Sequence, residues 1–213
     1  MFKAAIFDLD GTLLDSMGVW TKIDIDFLAK RGFTIPETYF DAISSMSLPN
    51  SAKYTIDLFD LKESVESVLE EWKDMAFHEY SRNVKLKPYV KEYLTALKLK
   101  GIKIATATGL MRELAEPVLR NNDIHSFFEA QCFTDETEHG RKDLPDVYLL
   151  AAQRLNIPPQ ECIVFEDLLK GIISAKSVGM KTVGVYDDAY KKQWAQIQEA
   201  EDVSIYDFKD FPY

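Results

Sequence analysis

The chain has 213 residues, 46% hydrophobic and 28% charged, which excludes wholesale disorder and suits one α/β domain or one domain carrying a sizeable insertion. Its formal net charge of −10 argues against nucleic acid or an anionic membrane as a main partner, since both attract basic surfaces. No apolar run approaches membrane-spanning length and the N-terminus does not read as a secretory signal, so a cytoplasmic location is expected.

Ala4-Ala5-Ile6-Phe7 reads as a short buried strand running directly into Asp8-Leu9-Asp10-Gly11-Thr12, so that two carboxylates arrive at its C-terminal tip. Open α/β sheets place their chemistry there. Carboxylates held that close repel by about 4 kcal/mol at an effective dielectric near 20, so a site keeping both ionised calls for a cation. From Asp15 to Lys30, Val19, Trp20, Ile23, Phe27 and Leu28 recur at helical spacing, with Arg31-Gly32 as a stop. Ile35-Pro36-Glu37 begins another helix, and 46–51 reads as a loop. A short helix with Tyr54, Ile56, Leu58 and Phe59 follows. A long one over 61–80 then carries Val65, Val68, Leu69, Trp72 and Met75 on one face.

Beyond Lys87-Pro88, βα units repeat. Strands are expected at 102–106, 129–133, 162–165 and 181–185, with helices near 111–121, 146–155 and 168–178; Val203-Ser204-Ile205 fits one more short strand. Cys132 and Cys162 fall in such strands and read as small buried hydrophobes of a reducing compartment, and no Cys/His spacing resembles a zinc site. The expectation is an α/β fold: a Rossmann-like parallel-sheet core formed by 1–14 and 85–213, with an α-helical cap, 15–84, inserted after its first strand. An insert leaving and re-entering there is expected to sit over the strand tips and to gate access to them.

Three more motifs occupy strand ends. In Thr106-Ala107-Thr108-Gly109, a hydroxyl followed by Gly and a helix start can hold a phosphate oxygen. Thr108 lies nearest the turn, and Thr106 stays an alternative. Lys142 precedes a helix opened by Pro145-Asp146, and its ammonium could neutralise carboxylates and draw in a phosphate. Phe165-Glu166-Asp167 again runs a strand into two acids. Hard cations such as Mg²⁺ take carboxylate oxygens from few ligands, and Asp8, Asp167 and the Asp10 backbone carbonyl would supply them, with Glu166 at the edge. Singly these read as a turn, a strand threonine, a solvated lysine and a helix cap. Their joint order and placement are what point to a site.

The four elements resemble the haloacid dehalogenase-like hydrolase superfamily, in its helical-cap group of phosphatases and β-phosphoglucomutase-like proteins. The matching residues are Asp8-Leu9-Asp10-Gly11-Thr12, Thr108, Lys142 with Pro145-Asp146, and Glu166-Asp167 with Gly171 and Gly179-Met180. Two departures, one extra residue in Gly140-Arg141-Lys142 and Leu168 where relatives often have Ser, touch no reacting group. The resemblance implies a Mg²⁺-dependent phosphoric monoester hydrolase acting on a small phosphorylated metabolite, a sugar phosphate or nucleotide-like ester. Asp8 is then the nucleophile that forms an aspartyl-phosphate, and Asp10 the acid and base. Thr108, Gly109 and Lys142 bind the phosphate, while Asp8, Asp10, Asp167 and Glu166 form the metal set. Thr12 is expected to orient Asp10. One divalent ion should bridge Asp8 and Asp167, with the Lys142 amine in reach of both.

Retention of Asp10 separates this reading from the family's dehalogenases and phosphonate-cleaving members, which lack that acid; Lys53 therefore reads as a surface residue. The alternative is a β-phosphoglucomutase-type mutase, but Trp20 stands where such mutases have His, and the loop over 46–51 contains no Arg to grip a second phosphate. Phosphoacceptor signalling domains share the acid pair, Thr and Lys, yet are much shorter and have no cap. Trp20, Met46 and Leu48 could offer a substrate an apolar wall. His78, His125 and His139 have no evident partner, and a monomer or weak homo-oligomer is expected.

Overall fold

The structure is a computed structural model and describes residues 2–43 and 46–211. In chain order it comprises β1 (Ala4–Phe7), β2 (Leu14–Asp15), α1 (Val19–Ala29), α2 (Thr38–Ile43), α3 (Leu48–Phe59), α4 (Val65–Arg82), β3 (Lys85–Leu86), α5 (Val90–Leu99), β4 (Lys103–Thr108), α6 (Arg112–Asn121), β5 (Ala130–Phe133), α7 (Asp146–Leu155), β6 (Cys162–Glu166), α8 (Leu169–Ser177), β7 (Lys181–Val185), α9 (Trp194–Ala200) and β8 (Val203–Ile205). The chain divides into two compact units, Met1–Met17 with Val84–Tyr213, and Gly18–Asn83.

The first unit carries a six-stranded parallel sheet in the order β5-β4-β1-β6-β7-β8. β1 is central, pairing Phe7 with Thr106 on one side and Phe165 on the other. All four of its residues are buried, as expected of a parallel strand covered on both faces. On one face Ala4 and Ile6 join Ala105, Ala107, Val164 and the α7 residues Val147, Tyr148 and Ala151 in a small-residue core. On the other, Phe7 stacks on Phe165 with centroids 4.5 Å apart, and Tyr93 and Phe208 close the cluster. Parallel strands end on one edge of the sheet, so the tips of β4, β1 and β6 lie side by side. Cys132 and Cys162 are free and buried, as the strand pattern expects.

The second unit is helical. The α4 N-terminus is capped by Ser64, whose Oγ accepts from the Ser67 N–H at 3.2 Å. Phe27 of α1 meets Trp72 of α4 edge to face at 5.7 Å.

Several elements depart from the sequence reading. α1 begins at Val19 rather than Asp15, because Leu14 and Asp15 pair antiparallel with Leu86 and Lys85. The expected loop over 46–51 is mostly helix, since Pro49 sits in the first turn of α3, where a missing N–H costs no hydrogen bond. α5 and α9 went unread. In α5 the buried Val90, Tyr93, Leu94 and Leu97 do recur at helical spacing, whereas α9 spans only seven residues and buries just Trp194 and Ile197.

Candidate active site

Asp8 directly follows β1 and donates its N–H to the Phe165 carbonyl at 3.0 Å, which extends the β1–β6 ladder by one step and fixes where the carboxylate emerges. Leu9 then turns the chain back sharply. Its carbonyl accepts from the N–H groups of Thr12, Leu13 and Leu14 at 3.2, 3.0 and 2.9 Å. Gly11 is required twice in this loop. Its φ of +74° lies in the left-handed region, and a Cβ would fall 2.1 Å from Asp167 Oδ2. The loop can therefore approach the end of β6 only through a residue without a side chain.

Within the first unit, Lys142 ties the site together. Its Nζ lies 2.6 Å from Asp8 Oδ1 and 2.7 Å from Glu166 Oε2. Burial alone would lower the ammonium, yet the Asp8 and Glu166 charges hold its pKa well above the ordinary lysine value. Its second ion-pair partner is Glu166, which is fully buried and also accepts from the Tyr148 hydroxyl at 2.9 Å and the Leu168 N–H at 3.2 Å; the Lys142 charge is felt at Asp167 as well. Burial, with the nearby Asp8 charge, pushes the Glu166 carboxyl up to about 7 against the opposing pull of Lys142. Asp167 is also buried and is pushed well above the usual carboxylate range, by burial first and then by the Glu166 and Asp8 charges.

Thr12 donates to Asp167 Oδ1 at 3.0 Å and so corrects the expectation that it orients Asp10. That role falls to Ser16, whose Oγ donates to Asp10 Oδ1 at 2.6 Å. Ser16 and Tyr148 are the residues that sequence reasoning missed. Ser16 stands six positions beyond Asp10, and only the tight turn after Asp8 brings it back. Tyr148 lies one turn into α7 behind Lys142, where a tyrosine at a buried helical position reads simply as core. His139, expected to be unpaired, forms an exposed pair with Asp146 at 2.7 Å, and that carboxylate raises the imidazole pKa.

Thr108 ends β4 and is 1% exposed; its Oγ1 accepts from the Leu110 N–H at 3.1 Å, which leaves the hydroxyl proton free to be donated. Thr106, the alternative, lies two residues inside the strand, opposite Phe7 and Gln131, with its hydroxyl buried. Gly109 follows Thr108 and is exposed.

One oxygen from each of Asp8, Glu166 and Asp167 falls within 4.8 Å of the others. Lys142 is the cation placed among them, so three ionised carboxylates would leave negative charge uncompensated. An all-oxygen, strongly acidic, buried donor set of this kind fits a hard divalent cation. Asp8 and Asp167 could hold such an ion more readily than Glu166, whose oxygens already accept from Lys142, Tyr148 and Leu168. Asp10 lies on the same loop and is half-buried.

Residues 5–185 match the sequence profile of the haloacid dehalogenase-like hydrolases. The chain belongs to that family. It is 29% identical over 181 residues to a phosphorylated carbohydrates phosphatase of Thermotoga maritima, covering 85% of this chain and 83% of the relative. Hexitol phosphatase B of Escherichia coli is 28% identical over 191 residues, with 85% and 82% covered. The solved structure of a "putative beta-phosphoglucomutase from Thermotoga maritima" superposes with a TM-score of 0.86 at 27% identity, covering 95% of this chain and 94% of that one. Both of these relatives are named as phosphatases, in keeping with the expected class of phosphoric monoester hydrolase. Among the described residues no helix is long and apolar enough to cross a membrane.

Proposed function

We propose that the protein hydrolyses a small phosphorylated metabolite, of the sugar phosphate class, through a phosphoryl group carried transiently on Asp8. The observation that carries this reading is the placement of Lys142 between Asp8 and Glu166, beside Asp167, at the tips of adjacent parallel strands. Asp8 Oδ1, held by the Lys142 ammonium, is fixed in orientation for in-line attack on phosphorus. Lys142 offsets the negative charge that would otherwise repel a phosphate dianion from a carboxylate. The Thr108 hydroxyl, with its proton free, donates to a phosphoryl oxygen, and Gly109 leaves the backbone beside it open. Asp10, oriented by Ser16, gives a proton to the departing ester oxygen and then takes one from the water that hydrolyses the acyl phosphate. A divalent cation such as Mg²⁺, held by Asp8 and Asp167 with the Asp10 carbonyl, would add the remaining charge neutralisation. Glu166 and Tyr148 hold Lys142 in place.

The test is hydrolysis of p-nitrophenyl phosphate and of a panel of sugar phosphates with and without Mg²⁺. Wild-type protein should turn over, Asp8→Asn should be inactive, and Asp10→Asn should accumulate a phosphoryl adduct on the peptide containing Asp8. Absence of turnover with every ester overturns the reading. Conversion of β-glucose 1-phosphate to glucose 6-phosphate without release of inorganic phosphate would replace it with the mutase.

A further inference from the structure

The helical unit Gly18–Asn83 contains a cavity of about 490 Å³ whose lining residues all belong to that unit. Its walls are aromatic and apolar, including Trp20, Phe40, Met46 and Trp72, and Asp24 brings a carboxylate to it. The described lining residues include no Lys, Arg or His. Two polar groups there are not explained by folding alone. Trp72 is 3% exposed, and its buried indole N–H has no acceptor among the described residues. Such a donor costs free energy until something accepts from it. Asp24 is buried as well, with Oδ1 accepting from the Tyr39 hydroxyl at 3.2 Å, itself 2.7 Å from Thr55 Oγ1. A buried carboxylate in a cavity that two tryptophans also line, with no cation among the described lining residues, is unusual in a core made only for packing.

We propose that this cavity binds a small organic ammonium, its cation set between the Asp24 carboxylate and the aromatic walls, with an oxygen on the ligand accepting from Trp72. The volume is that of a small-molecule site. Aromatic faces attract a desolvated cation, and the carboxylate adds a charge-assisted hydrogen bond. An anionic ligand meets only the acid and no compensating base. A neutral alcohol finds the same walls without the charge. Burial pushes the Asp24 carboxyl up to about 6, and an ammonium beside it would supply a counter-charge. Of the sequence features, Trp20, Met46 and Leu48 already suggested an apolar wall; Asp24 and Trp72 come from different helices, α1 and α4, and only the fold brings them to one cavity.

The inference does not depend on catalysis, because binding is read without turnover. Two of the three tryptophans line the cavity and the third, Trp194, lies in the other unit, so Trp194→Phe leaves a fluorescence signal from Trp20 and Trp72 alone. Three matched probes are titrated: tyramine, the neutral 4-ethylphenol and the anionic 3-(4-hydroxyphenyl)propionate. Tyramine should change the fluorescence saturably, 4-ethylphenol should bind about tenfold or more weakly, and the propionate should not saturate. Asp24→Asn should abolish the preference for the amine, and Trp72→Phe should weaken tyramine binding. Equal affinity for the three probes, no saturable response to tyramine, or a preference that survives Asp24→Asn would each overturn the proposal. The three-probe comparison needs no change in the cavity, so it decides even if Asp24→Asn fails to fold.

Discussion

Replacing Lys142 with Met keeps most of the side-chain volume and removes the charge between Asp8 and Glu166. At 2.6 and 2.7 Å each attraction amounts to about 6 kcal/mol at an effective dielectric near 20, most of it offset by the cost of burying the charges. Removing one partner forfeits the attraction and leaves the others buried, a loss of about 3–5 kcal/mol. For a chain of this length that lowers the melting temperature by about 10 °C. The pH dependence is more diagnostic than the size. Glu166 titrates near 7 in the folded protein, so its charge, and with it this part of the Lys142 interaction, is present above that pH and fades below it. The deficit of Lys142→Met against wild type should therefore be largest near pH 8 and should shrink towards pH 5. Both proteins are unfolded thermally and in urea, in the presence of a chelator, so that no divalent ion substitutes for the ammonium. Arg141→Met is the control: Arg141 pairs with Asp143 on an exposed loop, so its loss should cost less than about 0.5 kcal/mol at any pH. A deficit for Lys142→Met as small as the control's and flat with pH would refute the buried bridge.

Ser16→Ala should lower kcat about tenfold with little change in melting temperature, since it frees the orientation of Asp10 without opening the core; an unchanged kcat would remove Ser16 from the site. Gly11→Ala should cost about 1–2 kcal/mol for its left-handed backbone, and by displacing Asp167 it should raise the Mg²⁺ concentration needed for half-maximal activity, read by titrating the metal at saturating ester. Glu201 is buried against the Gly184 backbone with Ser204 donating to its Oε1, and burial pushes its carboxyl up to about 7 from 4.5. A raised carboxyl stabilises the fold below its unfolded pKa and loses that contribution as pH rises through the folded one. Denaturation curves at pH 5 and 8 should therefore show Glu201→Gln gaining up to about 3 kcal/mol on wild type at the higher pH, and parallel curves would contradict this.

Elements with strong periodic or positional signals were legible from the residues alone. An apolar run ending in Asp8, Thr108 or Glu166-Asp167 reads as a buried strand because burial on both faces of a parallel sheet demands such a run, and because turn residues must follow it. The family's four motifs were legible for the same local reason, each being a few contiguous residues. What the sequence left open concerned partners distant along the chain. That Lys142 meets Glu166, that Thr12 serves Asp167 while Ser16 serves Asp10, and that Tyr148 completes the bridge all depend on the register of β1 between β4 and β6 and on the turn at Leu9. Short elements escaped for a complementary reason. A two-residue strand such as Leu14–Asp15 has no periodicity of its own, and it exists only because Lys85–Leu86, some seventy residues away, comes alongside to pair with it. Local pattern decides which face of an element is apolar. Which carboxylate stands beside which cation is decided by how the strands are ordered, and that order is a property of the folded chain.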